Sequence, residues 1–107
     1  MAAIPRQDNP AQMGPRLRLI RLAYSRLQGR ERDISQAEFA RLCGIAGPTW
    51  NNAETGDNRI GVDGAISVYQ RTGAPLNYIF LGETRHLPHD LAKEIEKLQA
   101  EDTAKSA

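Results

Sequence analysis

Few side chains in this sequence have types and spacing suited to chemistry. Cys43 is the single cysteine, so no internal disulfide can form. It falls on the apolar face of a short helix and reads as a small core hydrophobe rather than a reactive thiol. His86 and His89 stand three apart but flank Pro88, with no cysteine or third ligand nearby, which argues against a metal site. No serine or cysteine is accompanied by a base and an orienting acid, and the Gly-x-x-Gly spacings read as caps or turns. The expectation is therefore no enzyme, no cofactor and no metal. One polar cluster remains, Thr49, Asn51 and Asn52, packed into four residues. An asparagine amide can pair with both N6 and N7 of adenine, and a threonine can meet a thymine methyl or a phosphate.

The elements that must position this cluster lie between Ile34 and Gly56, ISQAEFARLCGIAGPTWNNAETG. Ser35 and Glu38 have the spacing of a capping box, in which the serine oxygen accepts the Glu38 N–H and the carboxylate reaches back to the Ser35 N–H. Phe39, Ala40, Leu42 and Cys43 then form an apolar stripe at helical spacing. Gly44 can end that helix at positive φ. Pro48 suits a first turn, where its missing N–H costs nothing. The second helix is expected over Thr49 to Glu54, with a stop at Gly56. The whole is a helix–turn–helix.

Gln36, Ala40, Gly44, Ile45, Trp50, Ala53, Glu54 and Gly56 sit at the spacing Gln-x3-Ala-x3-Gly-Val/Ile-x4-Ile-x3-Glu-x-Gly. In this the chain resembles the Cro/repressor-type (XRE-like, lambda-repressor-like) helix–turn–helix DNA-binding family. Trp50 is larger than the usual isoleucine, and Ala53 is smaller than usual. A second match follows at the right distance. Gly73, Leu76, Asn77, Tyr78, Ile79, Leu81, Gly82 and Glu83 resemble the family's closing Gly-Val-Ser-x-Asp-Trp-Leu-Leu-x-Gly. The resemblance covers about residues 15–83.

It implies that the second motif helix enters the major groove with Thr49, Asn51 and Asn52 at base edges, while Trp50 and Ala53 face the core. Two slots that often carry Arg, Gln or Ser in relatives hold Gly47 and Pro48 here, so base readout is thin. Gln36 matches a residue that usually contacts phosphate in relatives. The Gly47 N–H can bind phosphate at the helix start. The segment after the helix lies along the backbone in the family, which assigns Asn58 and Arg59 to phosphate, against a plain reading as a polar turn. A first-helix arginine often pairs with the glutamate matching Glu54, and the sequence leaves open which one.

Outside the motif, residues 1–13 read as a flexible arm from which Arg6 could reach DNA, or as a plain disordered tail. Residues 15–28, PRLRLIRLAYSRLQ, read as a first helix opened by Pro15, with Leu17, Ile20, Tyr24 and Leu27 on one stripe that Leu19, Leu22 and Ala23 widen. The link from Gly29 to Ser35 is about four residues longer than the family's, and its Arg30–Asp33 insertion is charged. Residues 61–72 form a helix with Val62, Ala65, Ile66 and Tyr69 at i, i+3, i+4, i+7. Gly64 weakens it by roughly 1 kcal/mol relative to alanine and hints at close packing. In the closing helix, Tyr78 and Phe80 read as core or dimer-contact residues. The chain from 84 to 107 holds a helix with a narrow seam, Leu91, Ile95 and Leu98, able to pack on its own domain or on a second copy. Its last residues, EDTAKSA, are expected to fray.

A chain of 107 residues with 40% hydrophobic and 25% charged content is that of one ordinary globular domain. Its longest apolar runs are too short for a bilayer, and MAAIPRQDNPAQMGP lacks the apolar core of a signal peptide. Net charge is +1 overall, but residues 1–32 carry +5 and residues 33–82 and 83–107 carry −2 each. The basic segment either tracks phosphates or is the solvated face of a helix.

The fold expected is all-α: a compact five-helix lambda-repressor-like domain over residues 14–83, with its motif at 35–56 and an additional C-terminal helix. The function implied by the resemblance is a sequence-specific DNA-binding transcriptional regulator, acting as a homodimer on double-stranded DNA. Such a protein is cytoplasmic, of bacterial or phage type, and nucleoid-associated when bound. The alternative is a protein-interaction or auxiliary module of the same fold, binding a protein partner alone or jointly with DNA.

Overall fold

A computed structural model describes residues 6–106. Six helices follow one another: α1 (Pro10–Leu27), α2 (Gln36–Cys43), α3 (Gly47–Glu54), α4 (Val62–Thr72), α5 (Leu76–Leu81) and α6 (His89–Ser106). No strand occurs among the described residues, and none of their helices is long and apolar enough to cross a membrane. The first five residues of the arm expected over 1–13, and the final residue, lie outside the described part.

α1 is the axle of the fold. It packs against α3, α5 and α6. Its buried residues Leu17, Leu19, Ile20, Leu22 and Ala23 therefore run around most of its circumference. The widened stripe packs inward as expected except at Leu27, which is exposed at the last turn.

The helix also starts five residues earlier than expected, so residues 10–13 are not part of an arm. Asn9 is the N-cap, its side chain accepting the Gln12 N–H at 2.9 Å, and Pro10 takes the first-turn position assigned to Pro15. Pro15 lies inside the helix, where it removes one i→i−4 bond. The early start buries Met13 completely and brings Gly14 to the crossing with α3. A Cβ on Gly14 would stand 2.6 Å from the Glu54 carbonyl oxygen. Only a glycine lets the two backbones approach this closely.

The longer link is pinned rather than loose. Ser25 is buried; its hydroxyl donates to the Arg32 carbonyl at 3.3 Å and accepts the Ile34 N–H at 2.9 Å. That places Ile34 in the core while the charged insertion stays in solvent. α2 then opens with half of the expected capping box. Ser35 Oγ accepts the Glu38 N–H at 3.1 Å, but the Glu38 carboxylate engages Arg30 at 3.1 Å. The α2 stripe behaves as expected, with Phe39, Ala40 and Cys43 buried and Gly44 at φ 71°. Burial pushes the Cys43 thiol up to about 11. With so little thiolate present, alkylation of the native protein near neutral pH is expected to run at least about 100-fold slower than in the unfolded chain. Equal rates in a quenched alkylation time course would show that this helix is not packed as described.

α4 is rotated from its expected setting. Ala65 and Val68 are buried, whereas Val62, Ile66 and Tyr69 face outward. The cause is Gly64: a Cβ there would meet the Ile60 side chain at 3.0 Å, so Ile60 packs directly on the helix backbone. Gly73 and Gly82, both at positive φ, end α4 and α5 where the sequence suggests. Arg16 donates from Nε to the Ile79 carbonyl at 3.1 Å and from Nη2 to the Phe80 carbonyl at 3.2 Å, tying α5 to α1.

α6 settles between the two alternatives left for its seam. Leu91, Ile95 and Leu98 are buried in the same core as α1. Arg18 reaches Asp102 at 3.1 Å, and Arg26 reaches Glu101 in a bidentate pair at 2.6 and 2.9 Å. The expected fraying from Glu101 is thus corrected, since the helix continues to Ser106 and two acids of that stretch are held by α1.

Candidate nucleic-acid interface

The site begins with the carboxylate that fixes α3. Glu54 is buried, its side chain 3% exposed, and Arg21 lies over it at 3.0 Å from Nε and 2.7 Å from Nη2. Arg21 is therefore the first-helix arginine that the sequence left unassigned. Its Nη1 also donates to the Ile34 carbonyl at 2.6 Å, so one guanidinium joins α1, the link and α3. The oversized Trp50 has its reason here. Its indole N–H donates to the same carboxylate at 2.7 Å, one helical turn before Glu54. Its ring packs on Phe39 at 5.0 Å between centroids, and Phe39 meets Tyr24 edge-on at 5.6 Å. Small Ala53 is buried beside the Gly14 crossing, where its carbonyl oxygen would lie 3.2 Å from a Cβ at Gly14.

With Trp50, Ala53 and Glu54 turned inward, helical periodicity turns Pro48, Asn51, Asn52 and Thr55 outward. Asn51 and Thr49 are exposed and Asn52 is half-buried. Among the described residues none of these three side chains has a hydrogen-bond partner, so their donors and acceptors face solvent. Thr55, which the sequence reading passed over, shares this face. Its hydroxyl donates locally to the Asn51 carbonyl at 2.9 Å and is the less available for it.

The phosphate candidates flank this face by sequence on both sides. Gln36 is half-buried in the first turn of α2. α3 has Ala46 as N-cap with no side-chain cap, which leaves the first-turn N–H groups of Gly47 and Thr49 for an outside acceptor. Beyond the helix, the N–H groups of Asp57 and Asn58 both return to the Asn52 carbonyl, at 2.9 and 3.1 Å. This tight wrap sets Asn58 and Arg59 on the surface. Arg59 is not a free cation, because Asp8 lies 3.6 Å away. Asp8 is held below the usual carboxylate range chiefly by its hydrogen bond from Arg6, with Arg59 a smaller contributor.

Much of the positive charge of the N-terminal segment is paired within the protein. Arg16 caps α5, Arg18 and Arg26 bind acids of α6, Arg21 binds Glu54, Arg30 binds Glu38 and Arg6 binds Asp8. Most arginines of residues 1–32 thus have partners within the protein. α3 itself contains no lysine or arginine. Among the described residues no group of three or more His, Cys, Asp or Glu side chains gathers where it could hold a metal ion. No protein-family model, curated protein or solved structure gives a match to this chain.

Proposed function

We propose that the chain is a sequence-specific DNA-binding transcriptional regulator of the Cro/repressor type, cytoplasmic and acting as a homodimer on a near-palindromic operator. The observation that carries this reading is the outward face of α3. Asn51, Asn52 and Thr49 present hydrogen-bonding groups that the protein itself leaves unused, on a helix held rigid from beneath by the Arg21–Glu54–Trp50 network. In the major groove the two asparagines would pair with adenine edges, and Thr49 would meet a thymine methyl or a phosphate. Gln36, the Gly47 N–H, Asn58 and Arg59 would take phosphates and set the register of the helix.

The test separates the two kinds of contact. On a selected operator, Asn52→Ala is expected to cost about 1–3 kcal/mol and to relax preference at one base pair in each half-site. Arg59→Ala is expected to weaken all sequences alike and to lower the salt slope by about one. Titrations at several salt concentrations distinguish these outcomes. If both variants bind as the parent does, α3 is not the reading helix.

A second reading draws support from a different observation. The face of α3 is uncharged, opens on Gly47 and Pro48, and stands beside one cation already near Asp8. A protein surface would suit it as well as a duplex would, making the chain an interaction module that binds a protein partner alone or jointly with DNA. That reading expects no retardation of any DNA fragment at low salt.

A further inference from the structure

The rotation of α4 leaves an apolar stripe without a partner. Val62 is 59% exposed, Ile66 38% and Tyr69 49%, and they follow one another along one side of the helix. At the C-terminal end of the stripe lies an open hollow of about 550 Å³ lined by Tyr69, Gln70, Gly73, Pro75, His86 and Pro88. The same face thus carries a protruding valine at its start and a recess at its end. Its charge is equally lopsided. Arg71 turns to α2 and donates to the Leu42 carbonyl at 2.9 Å, which leaves Asp63 as the charged residue of the exposed side.

From this we infer that α4 is the surface on which two copies of the chain meet, antiparallel, about a two-fold axis near Ile66. In that register Val62 of each copy lies over Tyr69 and Gly73 of the other and enters its hollow. Asp63 then faces the partner's Gln70 amide and Tyr69 hydroxyl, both able to donate to a carboxylate. A parallel pairing would set valine on valine and leave both hollows empty. An isologous contact needs a surface that complements itself under a two-fold, and a knob and a recess at opposite ends of one helix meet that requirement. A second copy is favoured over a foreign partner for this reason: each feature of the face finds its counterpart on the face itself.

The contact is small. An 11-residue helix is about 16 Å long, short of the roughly 800 Å² per partner of a permanent complex. The dimer is therefore expected to be weak and reversible, and a second contact such as a shared duplex would complete it. The inference deepens the homodimer element of the proposed function, and sedimentation without DNA reads it separately from any DNA binding.

Sedimentation equilibrium of the full chain is expected to show a concentration-dependent dimer, and Val62→Asp to raise its dissociation constant at least about tenfold. Helicity by circular dichroism checks that the variant is folded. Under mild oxidation, Ile66→Cys is expected to give a disulfide-linked dimer, while Leu27→Cys, equally exposed on α1, does not. Buried Cys43 stays silent in both. A monomer at every concentration overturns the inference. So does a dimer indifferent to Val62→Asp, or equal cross-linking at the two positions.

Discussion

Glu54→Ala is expected to be among the most damaging single changes in the chain, lowering stability by about 3–5 kcal/mol. The carboxylate accepts from Arg21 twice and from the Trp50 indole once, all out of reach of bulk solvent. Removing it leaves a guanidinium with a side chain only 11% exposed and an indole N–H without an acceptor. Breaking one side of a buried pair costs far more than the pair contributes net, because the remaining charge is stranded. Arg21 would keep the Ile34 carbonyl, so α1 and the link stay joined while α3 loosens. Glu54→Gln is expected to be milder, since an amide oxygen can still accept from Trp50 or Arg21. Urea unfolding of the two variants checks this; equal and small losses would show that the network is not what seats α3.

Ending the chain at residue 83 should be more damaging still. Leu91, Ile95 and Leu98 are each at most 4% exposed, and burying a leucine or isoleucine contributes about 1.5–3 kcal/mol. Their combined share is comparable with the whole stability of a small domain, about 5–15 kcal/mol. Leu22, buried and flanked at i±4 by Arg18 and Arg26, would be uncovered as α6 leaves, because both arginines clasp that helix. Residues 1–83 are thus expected to show reduced helicity and no cooperative melt. A truncated protein melting within a few degrees of the full chain would show α6 to be an appendage. The clasp is also acid-sensitive. Arg26 holds the Glu101 carboxyl below its ordinary range, so the pair contributes above the unfolded carboxylate pKa and is lost as pH falls through the lowered folded value.

Much of the architecture was legible because local chemistry wrote it. Ser35 accepts the Glu38 N–H, and Gly44, Gly73 and Gly82 take the positive φ that ends their helices. The inward positions of Trp50 and Ala53 were implied by the resemblance; Glu54 joins them, and together they leave the same outward residues for the candidate site. What the sequence hid was tertiary. Two prolines each fitted a first turn, and Asn9 made Pro10 the start of α1, while Met13 and Gly14 gave the extra turn something to pack against. The periodic pattern of α4 was real but pointed outward, because the Ile60 contact with Gly64 set the rotation. The basic N-terminal segment hid most. Its arginines find carboxylates up to 84 positions away in the chain, a pairing that no count of charges by segment can reveal.

With most of the N-terminal arginines paired within the protein, the proposed DNA contacts are few: Thr49, Asn51 and Asn52 at base edges, and Gln36, the Gly47 N–H, Asn58 and Arg59 at phosphates. Base contacts few in number make dimerisation and duplex shape correspondingly more important. The most direct measurement is selection of binding sites from a pool of random duplexes by the full-length protein, repeated with Asn52→Ala. Enrichment of one motif with two related half-sites about one helical turn apart is expected, with loss of preference at a single position per half-site in the variant. Retention of no duplex, or retention of the pool without enrichment, would contradict the proposed function.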